Sequence, residues 1–169
     1  MSGKDFAYIE GYTPGIIGRI TRLHAEYYAG RWGFGSFFEV KVAAELAQFV
    51  WSYSAAHDQI WSVVQDGTIE GSFAVDGTSE QNTRAHLRWF IVSGKLRGKG
   101  AGNVLLERAL SFCRAAGYPL VYLWTFEGLD AARHLYEKYG FKLVEEHIGK
   151  QWGTAVKEQR FELRLTRDS

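Results

Sequence analysis

Cysteine is nearly absent from this chain: Cys113 is the only one in 169 residues. That excludes a disulfide framework and a cysteine-based metal site, and it fits a reducing, cytoplasmic setting. Proline is almost as scarce, with Pro14 and Pro119 alone, so no proline-rich linker divides the chain. No apolar run is long enough to span a bilayer, and no signal-type stretch follows Met1, so a membrane is not an expected partner. Excess charge of either sign is missing too: 20 Lys and Arg stand against 19 Asp and Glu, a net charge of +1. A general nucleic-acid binder would carry a basic surplus, so nucleic acid is not an expected partner either. The five histidines show no close metal-ligand spacing, and no catalytic metal is expected. What is present is a globular composition, 46% hydrophobic and 15% aromatic, in a length that suits one domain over residues 1–169.

Periodicity predicts a mixed order of elements. Ala7 to Tyr12 reads as a short strand, and Gly15 to about Ala29 shows helical spacing, broken by Gly30, Gly33 and Gly35. A second helix is expected from about Phe38 to Trp51. Gln59–Gln65 and Thr68–Val75 read as strands joined by Asp66-Gly67, a two-residue hairpin signal, with another turn at Asp76-Gly77-Thr78. Arg84–Val92 is a long strand. A helix to about Ala116 follows, closed by Gly117 and Pro119. Leu120–Phe126 is near-continuously apolar, as for a strand covered on both faces. A short helix over Asp130–Tyr139 and strands over Phe141–Glu146 and Glu158–Leu165 complete an α/β fold with a mixed sheet and one parallel crossover.

The most informative segment is Leu96-Arg97-Gly98-Lys99-Gly100-Ala101-Gly102, where a strand stops and a helix starts. The first N–H groups of a helix lack internal partners and its dipole favours negative charge, so this is a ready anion site. The dinucleotide pattern G-x-G-x-x-G fails at Asn103 or Leu105, and the Walker pattern fails because Gly100 follows Lys99. Arg-x-x-Gly-x-Gly does fit, as Arg97, Gly100 and Gly102. That loop resembles the acetyl-CoA loop of the GCN5-related N-acetyltransferases (GNAT). Ala132-Arg133-His134-Leu135-Tyr136-Glu137-Lys138-Tyr139-Gly140-Phe141 resembles the second block of the same family. The resemblance covers about 60 to 160 well. It implies the GNAT fold, with six to seven strands and about four helices. A narrower likeness, carried by Gly11-Tyr12-Thr13-Pro14-Gly15, His24, Tyr28, Phe38-Glu39, Leu123-Trp124-Thr125 and Leu143-Val144-Glu145-Glu146, is to the acetyltransferase half of bacterial proteins fused to a MarR-type regulator. DNA binding is not carried over.

The resemblance implies transfer of acetyl from acetyl-CoA to a primary amine, with CoA as product. It places the cofactor on Phe90, Ile91 and Val92, on Arg97, Gly98, Lys99, Gly100, Ala101 and Gly102, and on Thr125 and Leu129. Leu129 departs from the family, which often has asparagine there. Tyr136 resembles the tyrosine that protonates the departing thiolate, although it also sits on a core-facing stripe. His86 lies where some members place a glutamate base; it is expected on the same strand face as Arg88 and Phe90, and a structural histidine is an equal alternative. Tyr27, Tyr28, Trp32 and Phe34 are candidates for the acceptor wall or simply core, and Glu26 and Glu39 could hold an ammonium group. Cys113 reads as a buried thiol. A small-molecule amine is the leading acceptor. A protein lysine or N-terminus, or a non-catalytic acyl-CoA sensor, are the competing readings. A homodimer is left open.

Overall fold

The computed structural model describes residues 5–77 and 83–165. Its elements are β1 (Ala7–Glu10), α1 (Ile16–Trp32), α2 (Ser36–Trp51), β2 (Gln59–Gln65), β3 (Thr68–Asp76), β4 (Ala85–Val92), α3 (Ala101–Ala116), β5 (Leu120–Phe126), α4 (Asp130–Lys138), β6 (Lys142–Gly149) and β7 (Val156–Arg164). Seven strands make one mixed sheet in the order β1-β2-β3-β4-β5-β7-β6, with β4 and β5 the parallel pair. Two cores flank it. On one face α1 and α2 bury Ile16, Ile20, Phe38, Val42 and Leu46 against Ile60, Ala74 and Trp89. On the other, α3 and α4 bury Leu105, Leu106, Leu110, Cys113 and Tyr136 against Phe73, Leu87, Val121 and Phe161.

Most boundaries follow the sequence pattern. Asp66 and Gly67 both take positive φ, 51° and 77°, as a two-residue hairpin whose twist matches its strands requires. The expected turn at Asp76-Gly77-Thr78 runs into residues outside those described. The first helix departs from expectation: it passes through Gly30 and stops at Gly33, which is left-handed at φ 70° and donates to the Ala29 carbonyl at 3.1 Å. A glycine inside a helix costs about 1 kcal/mol, which weakens it without breaking it. A tilted contact of Tyr28 and an edge-on contact of Trp32 with Phe126 hold the last turn.

Two irregularities in β4 shape the site. First, β4 carries one extra residue against β3: Ala74 pairs Arg88 while Ser72 pairs Ile91. Trp89 absorbs the bulge with φ 52°, a conformation that costs a non-glycine residue about 1–3 kcal/mol. It is held there by the Phe49 ring at 5.4 Å, by the Arg88 guanidinium 4.2 Å over its own ring, and by Ser72 Oγ, which donates to its carbonyl at 2.7 Å. The bulge corrects the expectation that His86, Arg88 and Phe90 share a face. Trp89 packs with the α1/α2 core, as Arg88 reaches Glu45 of α2. Phe90 turns to the opposite core, against Phe73 and Tyr136. Second, β4 and β5 pair only at Ala85↔Val121 and His86↔Tyr122. Beyond those pairs, residues 87–92 and 123–126 line opposite sides of a cleft.

Candidate active site

The cleft between β4 and β5 has a volume of about 960 Å³ and runs from the loop before α3 to the turn between β6 and β7. At one end lies the glycine-rich loop. Gly98 and Gly100 take φ 76° and 80°, which turns successive peptides toward the opening. Within the loop, Leu96, Arg97 and Lys99 donate backward to Ser93, Gly94 and Leu96. Among the described residues, the N–H groups of Gly98, Gly100, Ala101, Gly102 and Asn103 have no acceptor. Gly102 packs so closely that a Cβ would stand 3.2 Å from Phe90 and 3.4 Å from Leu135. The start of the loop is pinned from β3: Glu70, almost fully buried, accepts from Arg19 at 3.2 Å and pairs with Lys95 at 3.5 Å, while its carbonyl accepts from Ser93 N–H at 2.7 Å. Nothing in the sequence pattern marks Glu70. A row of free N–H groups with Arg97 beside it is a donor set that fits a polyphosphate.

Tyr136, on the buried face of α4, lines the middle of the cleft among Phe90, Phe141 and Phe161. Burial, and then the nearby Tyr28 phenol, hold its hydroxyl well above the ordinary phenol range. It therefore stays protonated at neutral pH, with its proton held in the middle of the cleft. Phe90, Ile91, Val92, Arg97, Gly98, Gly100, Ala101, Gly102, Thr125 and Leu129 also line the cleft. Lys99 does not; it is exposed on the loop's outer side. At Leu129 the structure places an apolar side chain.

His86 lines the cleft, stacked 4.5 Å from the Tyr122 ring. Burial first, and then the Arg88 and Arg84 cations, lower its pKa to about 3, against the opposing pull of Asp76. It is neutral at pH 7, but its conjugate acid is too strong to hold an amine proton. His24 behaves alike: buried on α1, it bonds through Nδ1 to the Ile20 carbonyl at 2.9 Å, and burial lowers its pKa to about 4. Cys113 is buried in the α3 core, where desolvation pushes its thiol up to about 12. Among the described residues, no group of His, Cys, Asp and Glu is arranged to hold a metal.

At the other end, Tyr28 and Trp32 line the cleft. Three expected acceptor residues do not. Phe34 is 3% exposed and lies behind the wall, stacked on Tyr28, because the left-handed turn at Gly33 folds it inward. Glu26 is exposed and pairs with Arg22 at 2.9 Å on the outer face of α1, and Glu39 is likewise exposed outside the cleft. Residues not anticipated take their place: Arg31, Lys41, Glu45, Arg88, Gln151 and Trp152. Lys41 and Arg88 both contact the Glu45 carboxylate, and Arg88 also reaches Asp76 at 3.2 Å. The β6–β7 turn is organised by Glu158 of β7, 3% exposed. It accepts from Gln151 N–H at 2.9 Å and Gln151 Nε2 at 2.8 Å, and it contacts His147 Nε2 at 3.1 Å. An inward-facing glutamate in an alternating strand was the available signal for it.

The fold that holds this cleft is shared with known proteins. Residues 18–141 match the model of the acetyltransferase (GNAT) family. The chain belongs to this family. It is therefore an acyltransferase by family. It is 31% identical over 128 residues to N-acetylaspartate synthetase of Rattus norvegicus; the match covers 75% of this chain and 41% of that protein. The chain thus spans less than half the length of that relative. Its fold matches a GNAT-family acetyltransferase of Staphylococcus aureus Mu50 with a TM-score of 0.76 at 15% identity, covering 96% of this chain and 100% of the other. A Salmonella typhimurium structure containing its cofactor acetyl-CoA matches with a TM-score of 0.74 at 14% identity, covering 98% and 97%. No helix among the described residues is long and apolar enough to cross a membrane.

Proposed function

We propose that this GNAT member is an acetyl-CoA-dependent N-acetyltransferase that moves an acetyl group to the primary amine of a small molecule by direct attack on the thioester. The observation that carries the reading is the opening between β4 and β5, with free N–H groups at its mouth and Tyr136 at its middle. Acetyl-CoA supplies the activated acetyl thioester. Gly98, Gly100, Ala101, Gly102 and Asn103 offer N–H groups to its pyrophosphate, Arg97 adds a forked cation, and Phe90–Val92, Thr125 and Leu129 wall the arm. In the transfer an N–C bond forms and the C–S bond breaks. The amine's proton leaves to solvent, and Tyr136 supplies the proton that turns the departing thiolate into a thiol. His86 and His24 line the cleft as neutral rings; with pKa values of about 3 and 4 neither suits the role of base, so the amine is expected to arrive neutral.

A small acceptor is supported by the aromatic lining of this end, to which Trp152 of the β6–β7 turn adds, and by a relative named for making N-acetylaspartate. The single domain over 1–169, a cytoplasmic setting and the narrower likeness to the acetyltransferase half of MarR-fused proteins belong to the same proposal. The test is a panel of amines with acetyl-CoA and detection of free thiol. Transfer to small amines is expected. Transfer only to peptides would favour a protein acetyltransferase, and tight acetyl-CoA binding without transfer to any acceptor would make the chain a sensor.

A further inference from the structure

We infer that the amine acceptor also carries a carboxylate, and that Arg31 at the end of α1 is the side chain that holds it. The inference rests on the N-acetyltransferase reading and narrows its substrate class. α1, α2 and β4 bring four charged side chains to the cleft: Arg31, Lys41, Glu45 and Arg88. Three of these answer one another. Lys41 and Arg88 share Glu45, and Arg88 extends to Asp76 behind it, so two cations face two carboxylates. Arg31 stands outside that balance. Among the described residues it has no carboxylate partner, and its guanidinium lies 5.6 Å over the Tyr27 ring. Tyr27 is itself set edge-on to Tyr28 at 5.0 Å, so the aromatic wall presents the guanidinium at the rim of the cleft.

The positive charge of Arg31 has two consequences. It disfavours a protonated amine nearby, and so favours the neutral amine that attacks the thioester. It also repels acceptors with further ammonium groups, which weighs against polyamines and polycationic antibiotics. An acceptor whose second group is a carboxylate is attracted instead, and a planar guanidinium can grip it with two parallel N–H bonds. The remaining surface, Tyr28, Trp32, Phe38, Trp89 and Phe126, is aromatic and suits the body of such a molecule. Free amino acids are the simplest compounds with these features.

The experiment compares kcat/KM for the common L-amino acids, aspartate included, with carboxylate-free amines: phenethylamine, tyramine, cadaverine and spermidine. The amino acids are expected to be the better acceptors. Arg31→Gln is expected to raise the KM of the best amino acid roughly ten- to a hundredfold, the loss of one charge-assisted contact, with the KM of acetyl-CoA unchanged. Arg31→Lys should recover part of the loss. Arg31 is exposed, so neither variant is expected to disturb folding. Better transfer to the carboxylate-free amines, or an amino-acid KM unmoved by Arg31→Gln, would overturn the inference and leave the N-acetyltransferase reading standing. Transfer to no amine at all would overturn both.

Discussion

The loop end of the cleft offers backbone: the N–H groups of Gly98 and of Gly100 to Asn103, set by two left-handed glycines and a pinned β3–β4 edge. The opposite end offers side chains from α1, α2, β4 and the β6–β7 turn, brought together from residues 24 to 152. Backbone N–H groups recognise what every CoA thioester has in common, so a short local motif suffices to build them. Side chains decide which acceptor fits, and no local motif encodes them. The two ends should therefore fail separately when each is altered.

Tyr136→Phe tests the junction between them and should have the largest effect. Loss of a positioned general acid is expected to lower turnover about a hundredfold or more, with acetyl-CoA KM moved by less than about threefold. A turnover close to wild type in a single-turnover assay would remove Tyr136 from the proton transfer. Acid should strike the acceptor end next, through His24. Its folded pKa of about 4 lies below the unfolded value of 6.5. Above pH 6.5 neither state takes the proton and stability is full. Between 6.5 and 4 the unfolded chain takes it up and the folded chain does not, so stability falls as pH falls. The shift corresponds to about 3 kcal/mol. Denaturant titrations from pH 7 to pH 4 should show that decline, and His24→Gln should flatten it.

Glu158→Ala unfastens the β6–β7 turn, leaving both Gln151 donors without their acceptor. It should raise the amine KM roughly tenfold and leave the acetyl-CoA KM unchanged, since the turn touches one end only. A parallel rise in both constants would show that the ends are not separable. The smallest effect is expected of His86→Ala. With a pKa of about 3, His86 contributes no ionisation between pH 5 and pH 9, so the pH–rate profile should keep its shape. An inflection near neutrality that disappears in this variant would restore His86 as the base.

The sequence reveals these two ends unequally, for the same physical reason. The Arg97-to-Gly102 spacing, the Asp66-Gly67 turn and the position of Tyr136 on its stripe are local features, and each is found where its pattern places it. The bulge at Trp89 is not local. A positive φ at tryptophan contradicts intrinsic preference and exists because Phe49, Ser72 and Arg88 hold it from other elements. It moves Phe90 to the opposite face and so misleads a period-2 count. Glu26 and Phe34 lie off the cleft, and helical spacing alone does not say which stripe of α1 meets the sheet, or that Gly33 folds the chain inward. Glu45 and Arg88 carry no motif; they matter because α2 lies across β4.

The central claim is that the backbone cradle at Gly98 to Asn103, closed against Phe90 and Leu135, binds CoA. Isothermal titration of CoA into wild type and Gly102→Val tests it most directly. Because a Cβ at residue 102 already meets Phe90 at 3.2 Å and Leu135 at 3.4 Å, the two further methyls of valine crowd the loop against both side chains and are expected to shift it. Saturable binding by wild type, weakened at least about tenfold in a variant that remains folded, is the predicted result. Equal affinity in the two proteins would contradict it.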